Sequence, residues 1–352
     1  MGPTKKAFIT GYTGQDGTFL TRHLLEQGYQ VIGLVRRIST EPPRRVRGKF
    51  DFSDYMESGQ LILEDGDLQS ISSIMRILDK HRPHEIYNLA WQSHVGLSFK
   101  IPEVSNRDYE GFVNLITAVE SLGWYGPERY SETVRIYQAS TSEMFGDRDE
   151  SIGGMDESVQ FSPNSPYAIA KTAAHYYAQM KRKQGMFISC GILFNHESEI
   201  RGGDFVTQKI ARGVANWQKT GEPIKLGNLD AKRDWGYAGD YVKAMALMLQ
   251  QDDPGDYVVG TGYEHTVREF VEAAFKAIGQ TVEWDQAVHG FASKHDVGVV
   301  NGKIAVEVVE EFYRPNDVGF LKAEPAKIEA IGWEPEHDFE SLVKLMVEEA
   351  RK

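Results

Sequence analysis

Three glycines at fixed spacing constrain this chain most. They lie in Gly11-Tyr12-Thr13-Gly14-Gln15-Asp16-Gly17, between a short apolar run and a helical pattern. Ala7–Thr10 reads as a buried strand, and Thr18–Gln27 as a helix closed by Gly28. Glycines in such a place permit a tight turn and let the backbone approach a phosphate closely. The helix N-terminus behind them favours the anion. Three glycines alone say little, because glycine is common in loops. The strand before them and the helix after them carry the reading, which is the opening unit of a dinucleotide-binding fold.

The chain continues in the same rhythm. Strands are predicted at Gln30–Val35, Gln60–Glu64, Glu85–Ala90, Val134–Ser140 and Phe187–Phe194, with helices at Ser70–His81, Asn106–Leu122 and Tyr167–Gln184. Strands alternating with helices imply right-handed crossovers, hence a Rossmann-like, doubly wound parallel α/β sheet. After about Asn195 the alternation loosens. Helices at Val206–Trp217, Asp240–Gln251 and Asp338–Ala350 are separated by loops rich in Gly and Asp. With 352 residues the chain exceeds one comfortable core. The expected division is a cofactor-binding part, 1–194, and a smaller mixed α/β C-terminal lobe, 195–352, on the substrate side. Later segments could return to the sheet.

A net charge of −12 argues against nucleic acid or an anionic membrane as the main partner, since either needs a basic face. The single cysteine, Cys190, permits no internal disulfide and no cysteine zinc site; no metal is expected. Its apolar surroundings read as a buried structural thiol. No run of about 18 apolar residues suggests a membrane span, and the first residues lack a signal peptide's apolar region. Cytoplasm is the expected location.

The end of the second strand bears on the choice of dinucleotide. Val35 is followed by Arg36 and Arg37, about 20 residues past the last glycine, where an acidic residue would read the ribose of NAD. Two cations suit a 2′-phosphate, so NADP is expected. Asp67 and Leu68 follow the third strand, where an adenine edge would lie. Residues 36–49 form a basic, proline-containing loop that reads as solvated or as a contact surface.

The chemistry is carried by two segments. The strand Val134–Ser140 runs into Thr141-Ser142-Glu143, and Tyr167-Ala168-Ile169-Ala170-Lys171 follows. Four-residue spacing puts Tyr167 and Lys171 on one helix face. A neighbouring ammonium and a nicotinamide cation would lower the tyrosine's pKa from about 10, letting it take a proton from an alcohol. Thr141 can bond the same oxygen. Glu143 adds a base that a simple reductase or epimerase does not need, and that removal of a proton next to a ketone does.

Together these features resemble the extended short-chain dehydrogenase/reductase superfamily. ITGYTGQDG, NLAWQSHVGLSF, YQASTSEMFG, SPYAIAK, NHESEIRGGDFVTQKI, GNLDAKRDWGYAGDYVKAMALMLQ and FYRPNDV resemble, within it, the GDP-mannose 4,6-dehydratase family over nearly the whole chain. The resemblance implies a GDP-sugar substrate, with GDP-mannose converted to its 4-keto-6-deoxy form, and a homodimer or homotetramer. It implies that Leu89, Ala90, Gln92, Ser93, His196 and Arg201 contact the cofactor, with Gly11, Thr13, Gly14, Gln15, Asp16 and Gly17. Ser93, Ser142, Glu143, Asn195, Lys209, Arg233 and Arg314 would hold the sugar nucleotide, the cations offsetting its diphosphate. The chain departs from the family pattern at Trp91, where a small residue is usual, at Glu199-Ile200, at Gly203-Asp204 and at Asp317. Alternatives stay open: a dehydratase for another GDP-sugar such as a heptose, one that adds reduction of the 4-keto product, and a dinucleotide-sensing protein that does no chemistry.

Overall fold

A computed structural model describes residues 4–36, 45–46, 49–125, 133–285, 296–312 and 319–352, with side chains left aside at 45 and 46. Arg37, most of the basic 36–49 loop, Arg314 and Asp317 lie outside the described residues.

Seven strands form one parallel sheet. They are β1 (Lys6–Thr10), β2 (Gln30–Val35), β3 (Leu61–Asp65), β4 (Glu85–Asn88), β5 (Arg135–Thr141), β6 (Phe187–Leu193) and, after the short strands β7 (Asn195–Glu197) and β8 (Trp235–Tyr237), β9 (Asp256–Val259). Their order is β9-β6-β5-β4-β1-β2-β3, and every pairing is parallel. The reversal beside β1 puts the carboxyl ends of β1 and β4 next to each other, where open α/β sheets bind ligands. The Rossmann-like reading therefore holds. Strand β9 has no counterpart among the predicted strands, and it is a late segment that returns to the sheet.

Parallel strands are buried on both faces, so they read as nearly continuous apolar runs. On one face α1 (Gln15–Glu26) packs with α6 (Ala238–Met248) through Phe19, Leu20, Leu24, Tyr241 and Met245. On the other, α2 (Ile71–His81), α3 (Pro102–Ser121) and α4 (Pro166–Lys183) bury Ile74, Ile77, Phe112, Leu115 and Ala174. Each such large apolar side chain contributes about 1.5–3 kcal/mol on full burial. Helix α3 starts earlier than expected because Pro102 occupies its first turn, where a missing N–H is harmless. The later segments include α5 (Val206–Thr220), α7 (Val267–Lys276) and α8 (Phe339–Ala350). They also form a smaller mixed sheet, ordered Ile224–Leu226, Lys303–Val308, Val297–Val300, Glu283–Asp285.

Among the described residues no helix is long and apolar enough to cross a membrane.

Candidate active site

The glycine loop is dictated by contact distances. Gly11 has φ +71, a left-handed conformation that favours glycine, and a Cβ there would sit 2.9 Å from Ala90 Cα. A Cβ at Gly17 would lie 2.2 Å from the Gly11 carbonyl oxygen. Helix α1 thus starts at Gln15, three residues earlier than the sequence suggested, with Gly17 inside its first turn. No side chain caps Gly14, so the first N–H groups of the helix face the loop. This cradle, which any side chain would fill, fits a dinucleotide's pyrophosphate.

The neighbouring segment is held by hydrogen bonds from β1. Thr10 Oγ1 accepts from the N–H groups of Leu89 and Ala90, both at 3.1 Å, and donates to Asn88 Oδ1 at 2.8 Å. Gln92 N–H donates to Asp108 Oδ2 at 2.8 Å, while Ser93 is exposed. Burial raises the Asp108 carboxyl above the usual range, opposed by that N–H, Lys171 and Arg36. Arg36 is exposed at the end of β2 and close enough to Asp108 to favour its carboxylate form. Asp67 and Leu68 belong to the turn before α2. Asp67 Oδ1 accepts from Gln69 N–H, and the Leu68 carbonyl accepts from Asn114.

Asp16 and His196 join α1 to β7. His196 Nε2 is 2.9 Å from Asp16 Oδ2. Burial opposes ionisation of Asp16, but His196 and Arg201 outweigh it and hold its pKa at about 2. The His196 imidazole moves the other way: burial lowers its pKa, and Asp16 more than restores it. The Gln15 side chain is taken up by the same junction, donating to the His196 carbonyl and accepting from Ser198 Oγ. Arg201 stacks 3.5 Å from the centre of the Phe205 ring and lies 3.0 Å from Glu197 Oε2.

The expected catalytic set converges at the carboxyl end of β5. Thr141 ends that strand and caps the turn Ser142–Phe145, its hydroxyl accepting from Glu143 N–H at 3.3 Å. The Thr141 hydroxyl is close enough to the Tyr167 phenol to favour its ionised form, and the Glu143 carboxylate is close enough to oppose it. Ser142 is buried in the turn between them. Lys171, 4% exposed, donates to the Ala139 carbonyl at 2.8 Å. Its Nζ lies 5.9 Å from the Tyr167 ring centre and 4.2 Å from that of Trp91.

The protein's own groups disfavour the charged forms of both Tyr167 and Lys171. Burial and Glu143 push the Tyr167 phenol above its ordinary value, against the opposing pull of Thr141 and Arg201. Burial also lowers the Lys171 amine to about 7, against weaker support from Asp108 and Asp16. Desolvation is the largest cause for each.

The residues expected to hold the sugar nucleotide are placed more loosely. Asn195 and His196 lie on β7, paired with Trp235 and Gly236 of β8. Arg233 is buried, with Nη1 donating to the Lys232 carbonyl at 2.7 Å. Lys209 Nζ lies 3.5 Å from the centre of the Phe312 ring; burial lowers its pKa and Glu311 opposes this.

Behind the site, His175, Cys190 and Asp256 present possible metal-ligand atoms within 4.8 Å of one another. Arg182 already supplies a cation there, its Nη2 lying 2.6 Å from Asp256 Oδ1 and 3.7 Å from Cys190 Sγ. Burial pushes the Cys190 thiol up, away from the thiolate a metal would bind.

A parallel sheet with a glycine cradle at its switch point and a Thr-Tyr-Lys set at the next strand end defines the extended short-chain dehydrogenase/reductase class. Solved structures of similar fold include a dTDP-glucose 4,6-dehydratase from Bacillus anthracis in complex with NAD, with TM-score 0.75 and 17% identity over 98% of this chain and 96% of that one. Another is RMD from Pseudomonas aeruginosa complexed with NADPH, with TM-score 0.72 and 19% identity over 99% of each chain. The family profile described as GDP-mannose 4,6 dehydratase matches residues 8–346. A GDP-mannose 4,6 dehydratase from Cricetulus griseus is 42% identical over 352 residues, covering 98% of this chain and 91% of the relative. The chain belongs to the GDP-mannose 4,6-dehydratase family.

Proposed function

We propose that this chain converts GDP-mannose to GDP-4-keto-6-deoxy-mannose by removing water between C5 and C6. The observation that carries the reading is the Glu143 carboxylate beside the Thr141–Tyr167 pair. Oxidation at C4 needs only the hydroxyl pair and the lysine; elimination needs a further base, and Glu143 is that base.

The cradle at Gly11, Gly14 and Gly17, with the Leu89–Ser93 segment, would hold a nicotinamide dinucleotide, and Arg36 favours the 2′-phosphate of NADP. When bound, that group supplies the acceptor for the C4 hydride and the donor that returns it to C6. Tyr167 accepts the C4 hydroxyl proton while Thr141 holds the same oxygen. Lys171, as an ammonium, offsets the phenolate. Glu143 takes the C5 proton, which the C4 ketone has made acidic, and assists departure of the C6 hydroxyl as water. The later part of the chain supplies the sugar-nucleotide side, with Asn195, Lys209, Arg233 and Arg314 as candidate contacts. Self-association as a dimer or tetramer belongs to the same reading.

Incubation with GDP-mannose and catalytic NADP should give a product one water lighter by mass spectrometry, with steady absorbance at the reduced-nicotinamide band. Stoichiometric accumulation of reduced cofactor without loss of water would make the chain a simple dehydrogenase.

A further inference from the structure

Trp91 is the part of the site that the mechanism above leaves without a task. It lies three residues past β4, next to the cofactor-side segment and against the apolar cluster of α2, α3 and α4. Its ring centre is 4.2 Å from Lys171 Nζ. The same Nζ donates to the Ala139 carbonyl at 2.8 Å. Among the described residues no carboxylate forms an ion pair with Lys171; Asp108 and Asp16 act on it only at a distance. The indole Nε1–H, meanwhile, is buried and has no hydrogen-bond partner. The position therefore makes use of the ring's face and none of its donor. A π face attracts a desolvated cation, while burial alone favours the neutral amine.

We propose that Trp91 is a positioning residue for the active-site lysine, its ring face holding the Lys171 amine as an ammonium against the Ala139 carbonyl. The proposal rests on Lys171 being the amine of the proposed site. A small residue at this point would leave one side of the ammonium without a partner. An aliphatic residue would keep water out and offer no negative face. Either change releases the lysine toward its neutral form, in which it no longer offsets the Tyr167 phenolate.

The test compares Trp91→Phe, which keeps an aromatic face and removes the orphaned donor, with Trp91→Leu, which keeps apolar bulk and removes the face. The readout is the titration of Lys171 in full-length protein carrying 13C at the lysine ε position, its NMR signal assigned by loss in Lys171→Met. The Phe variant should titrate close to the parent. The Leu variant should shift toward the neutral amine by roughly tenfold or more. A second measurement needs no change at position 91. The near-UV circular dichroism of the parent should change as Lys171 titrates, and that change should vanish in Lys171→Met. Equal titration in the parent, Phe and Leu forms, or a tryptophan signal unchanged by the Lys171→Met exchange, would overturn the proposal. Neither readout depends on the reaction catalysed. Failure to dehydrate GDP-mannose would sink the proposed function and leave this inference standing.

Discussion

The two halves of α4 carry buried or half-buried polar side chains on one face, at intervals of about four residues, and treat them in opposite ways. In the C-terminal half the groups are paired. His175 Nδ1 meets Ser140 Oγ at 2.9 Å, Gln179 donates to Asp256 Oδ2 at 2.8 Å, and Arg182 donates to Asp256 Oδ1 at 2.6 Å and to the Ile188 carbonyl at 2.7 Å. Burial alone would raise the Asp256 carboxyl, but His175 and Arg182 hold it well below the usual range. In the N-terminal half, Lys171 has one carbonyl and one ring face, and both its amine and the Tyr167 phenol are pushed away from their charged forms. A buried charge with its partner is a stable arrangement; a buried amine without a counter-ion is not. The helix is anchored at one end so that the other can hold reactive groups in an unfavourable state.

Breaking the anchored half should have the largest effect on stability. Asp256→Ala leaves the half-buried Arg182 and Gln179 without their carboxylate partner, and should destabilise by about 2–4 kcal/mol. Urea denaturation checks this; a loss under 1 kcal/mol would mean that the two halves are not anchored differently.

Relieving the reactive half should do the reverse. Lys171→Met should abolish turnover while stabilising the fold by roughly 2 kcal/mol or more at pH 7 and below. The sign follows from the folded pKa of about 7 against an ordinary lysine value of 10.5. Between these values the unfolded chain holds the proton and the folded chain does not, so parent stability rises with pH. The advantage of the Met variant should therefore shrink as pH approaches 10. An inactive variant less stable than the parent throughout would show that Lys171 is structurally satisfied.

The Asp16–His196 junction is a smaller third case. Asp16→Asn should destabilise by about 1–2 kcal/mol between roughly pH 4 and 6.5. The Asp16 carboxyl, with a pKa near 2, loses its contribution as pH falls through that value. His196, whose pKa is raised, contributes fully below 6.5 and loses its part as pH rises through the raised value. Thermal melts at pH 5.5 and 8.5 check this; the same loss at both would mean that the contact is not an ion pair.

Much of this contrast was legible in sequence only at its reactive end. The glycine spacing, the strand end at Thr141 and the four-residue step from Tyr167 to Lys171 are local patterns, and local patterns survive in one dimension. The anchored end is not local. Asp256 is 81 residues from His175, on a four-residue strand, DYVV, in a stretch where the alternation had lapsed. A parallel partner so far away leaves no periodic signal. The weight of burial against the Tyr167 phenolate is not legible in sequence, because counting nearby charges ignores desolvation. Trp91 was visible as a departure from the family pattern, but only the fold shows which side chain its ring covers. Arg37 and Arg314 lie outside the described residues, so their expected roles rest on sequence.

The central claim is that Glu143 performs the elimination and takes no part in the redox step. Glu143→Gln keeps size and polarity and removes the base, leaving Thr141, Tyr167 and Lys171 in place. The direct measurement is a single-turnover absorbance trace at the reduced-nicotinamide band after mixing with GDP-mannose and NADP, paired with solvent-deuterium uptake at C5. The variant should accumulate reduced cofactor on the enzyme, take up no deuterium at C5 and release no dehydrated product. Normal dehydration with deuterium at C5 in Glu143→Gln would contradict the assignment and place the base elsewhere in the site.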